Sequence, residues 1–143
     1  MSDLKNLYRQ IIMEHYKNPR NKGLTEDETF ISEHIKNPSC GDDITIQTKV
    51  EDGVVKAIKH DGTGCSICCS SASVLSELLK NKSVEDALKL SDNYVKMVKD
   101  EPFDEALDFE DAWAYIGIKD FPARQKCATI AFKAFEQTLK TKK

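Results

Sequence analysis

The chain has 143 residues, 40% of them hydrophobic and 31% charged, with a formal net charge of −3. That length falls within the roughly 100–150 residues of an ordinary domain and allows a real core, so five cysteines are not needed to staple it. Lacking a basic excess, it is no generic nucleic-acid binder, and no apolar run approaches the roughly 18–20 residues of a membrane span.

Met1-Ser2-Asp3-Leu4-Lys5-Asn6 has no apolar secretory core. The expected compartment is the cytoplasm, where thiols stay reduced. An odd number of cysteines there points to metal binding or sulfur chemistry.

In chain order, Leu4, Leu7, Tyr8, Ile11, Ile12 and Tyr16 have helical spacing. They predict a helix with one buried stripe, capped by Ser2 or Asp3 and ended at Asn18-Pro19. Thr29-Phe30-Ile31 offers a weak signal for a short strand. The clearest strand runs from Ile44 to Val50, with Ile44, Ile46, Thr48 and Val50 facing one way and Thr45, Gln47 and Lys49 the other. Asp52-Gly53 supplies hairpin turn chemistry, so Val54 to His60 returns antiparallel. Adjacent Val54 and Val55 break the alternation and leave room for a bulge or for burial on both faces.

Beyond Gly62-Thr63-Gly64 a helix is predicted from about Ser66 to Lys80, with Ile67, Ser71, Val74, Leu75 and Leu78 on one face. Ser83 opens another, with Asp86 approximating a capping box, and Pro102 bounds it. The last helix opens near Pro122 and runs to about Leu139, with Cys127, Ile130, Ala131, Ala134 and Phe135 as its stripe. Helix, strands, then helices indicate an α+β fold, a small antiparallel sheet covered by helices. No repeat or linker divides residues 1–143, so a single domain is expected.

Cys40 lies in a loop just before a strand, beside Gly41, whose backbone reaches angles closed to other residues. In an extended segment Cys40 and Asp42 project the same way. Cys65 stands one residue before a helix, where unpaired N–H groups and the dipole favour a thiolate. Cys127 sits on an apolar stripe, which turns its sulfur inward. Three thiolates and a carboxylate from three segments match the tetrahedral count of Zn²⁺. Their charge exceeds that of a dication by about two units, which Arg124 and Lys126, flanking Cys127, are placed to offset.

Each cysteine also has a plainer reading, as a small buried hydrophobe. Cys65-Ser66-Ile67-Cys68 could be a redox pair or half a zinc knuckle, but no second pair follows and no βαβ pattern surrounds it. His15, His34 and His60 lack ligand spacing and read as surface or packing residues. On spacing alone the result is a metal site without a stated purpose.

Three segments together are more specific. Asn37-Pro38-Ser39-Cys40-Gly41-Asp42, Gly62-Thr63-Gly64-Cys65-Ser66-Ile67 and Arg124-Gln125-Lys126-Cys127-Ala128-Thr129 resemble, in order, the three cysteine motifs of the IscU/SufU family. His15-Tyr16-Lys17-Asn18-Pro19-Arg20-Asn21 resembles its helix-ending segment, and the likeness runs from about Leu4 to Leu139. Lysine at Lys126, immediately before the third cysteine, favours the SufU-type branch over one with histidine there. So does the long interval from Cys65 to Cys127, which accommodates an acidic inserted segment at about 100–118.

The resemblance implies a small IscU/SufU-like sheet of about three strands, with zinc held by Cys40, Asp42, Cys65 and Cys127. It also implies a zinc-dependent sulfurtransferase serving iron–sulfur cluster assembly. Sulfur would come from a SufS-type, pyridoxal-phosphate-dependent cysteine desulfurase as a persulfide, with Cys40 as acceptor, and pass on to a SufBCD-type scaffold. The alternative is a scaffold holding a nascent iron–sulfur cluster on the same residues.

Cys68 and Cys69 depart from the family pattern. Cys68 lies on the face of Cys65, either packed and inert, or competing as a ligand or holding sulfur in transit. From Asp100 to Asp111 seven acidic residues occur without Lys or Arg, interleaved with Phe103, Leu107 and Phe109. The segment is expected to be either a solvated face or a surface complementary to a basic rim on the desulfurase.

Overall fold

The computed structural model describes residues 2–38 and 41–141. A first helix, α1 (Ser2–Lys17), precedes three strands, β1 (Ile31–Asn37), β2 (Asp42–Glu51) and β3 (Val54–Thr63). Helices α2 (Ser66–Leu78) and α3 (Val84–Val98), a 3₁₀ helix (Glu110–Asp120) and α4 (Pro122–Thr141) follow. The sheet is antiparallel in the order β1-β2-β3, and with its helices it forms the expected α+β architecture.

Local chemistry accounts for most boundaries. Asp52 and Gly53 both have positive φ, 53° and 74°, the twist that a two-residue hairpin turn requires. The β2–β3 register shifts between Lys49 and Val50, which makes Lys56 the extra residue of β3 and lets Val55 and Ile58, three apart, both be buried. Ser83 caps α3, its hydroxyl accepting from the Asp86 N–H at 3.0 Å. Strand β1 lies later than the Thr29-Phe30-Ile31 signal, because residues 28–30 form a turn whose N–H groups bond to Asp27. Its alternation of half-buried Ile31, Glu33 and Ile35 with exposed Ser32, His34 and Lys36 is too polar to stand out as a hydrophobic pattern.

Helix α1 corrects the sequence reading. Leu4, Leu7 and Tyr16 of the predicted stripe are 49%, 50% and 44% exposed, whereas His15 is buried. The rotation of the helix is set by polar bonds. His15 Nδ1 meets the Ser73 hydroxyl at 2.7 Å and Nε2 meets Asp111 at 2.8 Å, while Tyr8, Ile11 and Ile12 are only partly buried against the core. The side chains of Ser2 and Asp3, expected as caps, lie outside the described set.

Helix α2 is the central strut, packed by α1, α4, the 3₁₀ helix and the sheet. It is buried on more than the one predicted face, which explains its serines. Ser70, Ser71, Ser73 and Ser76 are small enough for close approach and satisfy their hydroxyls, for example Ser71 to the Cys68 carbonyl at 2.9 Å and Ser70 with the Tyr115 hydroxyl at 2.6 Å. Helix α4 buries the predicted stripe in full, and Tyr94 stacks on its Phe132.

Candidate metal centre

Three elements converge where β2 begins, α2 begins and α4 makes its second turn. Asp42 is the first residue of β2, Cys65 is the N-cap of α2, and Cys127 lies on the inner face of α4. One ligand atom from each lies within 4.8 Å of the other two. With Zn–S near 2.3 Å, tetrahedral neighbours stand about 3.7 Å apart, so small side-chain adjustments let these three donors share an ion. Asp42 and Cys127 are buried and Cys65 is half-buried, so the set is shielded yet open on one side. Cys40, the fourth expected donor, lies outside the described residues.

The carboxylate is held by main chain and by its cross-strand partner. Asp42 Oδ1 accepts from the Cys65 N–H at 3.1 Å, and the Asn37 amide donates to Oδ2 at 3.4 Å. Asn37 faces Asp42 in the β1–β2 register, a pairing that no spacing in the sequence reveals. Gly64 leaves room for this arrangement, since a Cβ there would stand 2.5 Å from Asp42 Oδ1.

Arg124 is the local cation. Electrostatic attraction to Cys65, then hydrogen bonds to Cys127 and Cys65, push its guanidinium above its ordinary value. A buried carboxylate between two sulfurs calls for such a counter-charge, and for a dication still more. Of the two cations expected there, Arg124 reaches the sulfurs, whereas Lys126 lines a groove between α4 and the end of β1.

The other two cysteines separate. Cys68 is fully buried in the core and near enough to bear on the buried Tyr115 hydroxyl, apart from the Asp42–Cys65–Cys127 group. Cys69 is half-buried, donates to the Gly64 carbonyl at 3.7 Å, and has its thiol pKa raised chiefly by burial.

A second cluster, His15, Glu77 and Asp111, also brings its ligand atoms within 4.8 Å. It is already satisfied as a tether. The Ser73 hydroxyl accepts the Arg20 N–H at 2.8 Å and meets His15 Nδ1, while His15 Nε2 meets the Asp111 carboxylate. Ser73 is fully buried, so this serine–histidine–carboxylate chain is closed to any substrate. His60 donates from Nε2 to the Arg20 carbonyl at 2.7 Å, and exposed His34 bonds Asp43. All three histidines are thus packing or surface residues.

The acidic segment is partly answered from within. Asp100 pairs with Lys119 at 3.8 Å and Asp104 with Lys89 at 4.0 Å, while Phe103, Phe109 and Trp113 form an aromatic cluster beneath. Among the described residues no helix is long and apolar enough to cross a membrane.

Residues 7–128 match the family described as NifU-like N terminal domain. The chain is 42% identical over 136 residues to the zinc-dependent sulfurtransferase SufU of Bacillus subtilis, covering 95% of this chain and 91% of that one. It is 39% identical over 136 residues to the iron–sulfur cluster assembly scaffold protein IscU of Thermotoga maritima, covering 95% and 94%. Among solved structures it superposes with a TM-score of 0.81 on a candidate iron–sulfur cluster assembly scaffold protein for the SUF system from Fervidobacterium islandicum. That match is 27% identical and covers 90% of this chain and 93% of the other.

Proposed function

Since the chain belongs to the NifU-like N-terminal domain family, we propose that it is a zinc-dependent acceptor and carrier of sulfane sulfur for iron–sulfur cluster assembly. The observation behind this reading is the convergence of Asp42, Cys65 and Cys127 from three elements, with Arg124 against the sulfurs. Similarity to a relative named as a zinc-dependent sulfurtransferase agrees with it. Cys40, Asp42, Cys65 and Cys127 are the proposed zinc ligands. Bound zinc would keep thiols deprotonated at neutral pH and add binding energy to folding.

The remaining chemistry belongs to the chain. Cys40, which falls between β1 and β2 in sequence beside Gly41, is the proposed acceptor, while Cys65 and Cys127 are anchored to helices. Its thiolate attacks the terminal sulfur of a persulfide on a SufS-type, pyridoxal-phosphate-dependent cysteine desulfurase. A sulfur–sulfur bond forms to Cys40, the donor's sulfur–sulfur bond breaks, and the donor cysteine leaves as a thiolate with the electron pair. The exchange needs no external oxidant. Arg124 offsets negative charge at the sulfurs, and Asn37 and the Cys65 N–H orient the carboxylate. The sulfur then passes to a SufBCD-type scaffold.

The second reading, a scaffold that holds a nascent cluster, draws on relatives named IscU and on the affinity of thiolates for both zinc and cluster iron. Metal analysis and an absorption spectrum of protein purified without oxygen separate the two. The carrier yields about one colourless zinc per chain, the scaffold a brown, sulfide-bearing chromophore. Cys40→Ser should also abolish stimulation of desulfurase turnover while the fold persists, and full stimulation by that variant overturns the acceptor assignment.

A further inference from the structure

A chain with a formal charge of −3 gathers four lysines around one groove. Lys36, Lys99, Lys126 and Lys133 line a trough of about 450 Å³ between α4, the end of β1 and the C-terminus of α3, and among the described residues no acidic one lines it. The Lys133 amine lies within hydrogen-bonding reach of Lys99, and burial together with the Lys99 charge lowers its pKa against weaker opposing effects of Glu136 and Glu101. Ammonium groups held that close are unfavourable until an anion lies between them.

The groove is not built for a small anion alone. Ile35, Pro38 and Ile130 give it an apolar part, and Phe121, 60% exposed, directly precedes Pro122 of its lining. An exposed aromatic, an apolar centre and a charged rim are the parts of a protein interface. The groove also touches the metal centre through its own walls. Asn37 lines it and bonds Asp42, and Lys126 directly precedes Cys127.

We propose that this groove, with Phe121 as its anchor, docks an acidic segment of the sulfur-donating desulfurase against the ligand set, an assignment that rests on the sulfur-acceptor reading above. A protein seated there contacts Asn37, whose amide holds the Asp42 carboxylate. The lysine rim accelerates encounter, and Phe121 slows departure.

The test measures binding of the zinc-loaded chain to the purified cysteine desulfurase of the same organism at several salt concentrations. Lys99→Glu/Lys133→Glu should weaken binding at least about tenfold and flatten its salt dependence, with zinc content unchanged. Phe121→Ala should weaken it about fivefold or more without altering the salt slope. Charge reversal in the acidic segment, Glu105→Lys/Asp108→Lys, should leave affinity within about twofold. Wild-type binding that both lysine substitutions leave intact, or that the acidic-segment variant reduces equally, overturns the groove assignment and leaves sulfur acceptance standing. Absence of both binding and stimulation with the wild-type chain overturns the acceptor reading and the groove with it.

Discussion

Replacing Gly64 by alanine tests whether the carboxylate of Asp42 is positioned for a metal. The new Cβ would stand 2.5 Å from Asp42 Oδ1, about 0.9 Å inside the 3.4 Å at which ordinary contact begins. Ligand distances tolerate roughly 0.2 Å, so the carboxylate has to rotate away by several times that margin. Rotation also breaks the bond from the Cys65 N–H, and a hydrogen bond to a charged acceptor contributes about 1.5–3 kcal/mol. At about 1.4 kcal/mol per factor of ten, zinc affinity should fall about ten- to a hundredfold.

Alanine at φ 158° adds backbone strain of its own, so thermal stability has to be measured beside affinity. Gly62→Ala is the control. Its φ is similar, 152°, but its Cβ would lie 2.0 Å from the main-chain oxygen of Asp43, which cannot swing aside. That variant should lose far more fold stability. Competition for Zn²⁺ with a chromophoric chelator gives the affinities. Wild-type affinity within twofold in Gly64→Ala would refute the role given to Asp42.

Two further predictions concern the frame around the centre. Burial, its largest influence, holds His60 below its ordinary pKa of 6.5, so the unfolded chain takes up a proton that the folded chain resists. Its contribution to stability is therefore complete above about pH 6.5 and is lost as pH falls from there towards the lower folded value. Urea unfolding across that window should show a smaller pH slope in His60→Gln, whose amide can still donate to Arg20, and an unchanged slope would reject the assignment. His15→Ala removes a buried ring and leaves the Ser73 hydroxyl with the Arg20 N–H alone, so stability should drop by about 2–4 kcal/mol. A loss below about 0.5 kcal/mol would show that the tether between α1, α2 and the 3₁₀ helix is not stabilising.

Much of the molecule was legible from short-range chemistry. The Asp52-Gly53 turn, the Ser83 cap and the inward face of α4 each rest on neighbours within a few residues, where steric and hydrogen-bonding rules are local. Cys65 as helix N-cap and Cys127 as a buried stripe residue follow from the same rules. Strand β1 was poorly legible because an edge strand with one half-buried face leaves only a faint alternation. The orientation of α1 was misread because polar bonds from His15, to residues 58 and 96 positions away, override its apolar stripe.

Residue types and spacing thus determined by themselves an α+β chain with Cys65 at a helix start and Cys127 on an inner helix face. Tertiary structure alone decided that Asp42, Cys65 and Cys127 meet, that Arg124 rather than Lys126 faces their sulfurs, and that Cys68 belongs to the core. It also decided that four lysines scattered from position 36 to 133 line one groove. The reason is physical: distances between residues far apart in the chain depend on how whole helices and sheets pack, and local pattern holds no record of that packing.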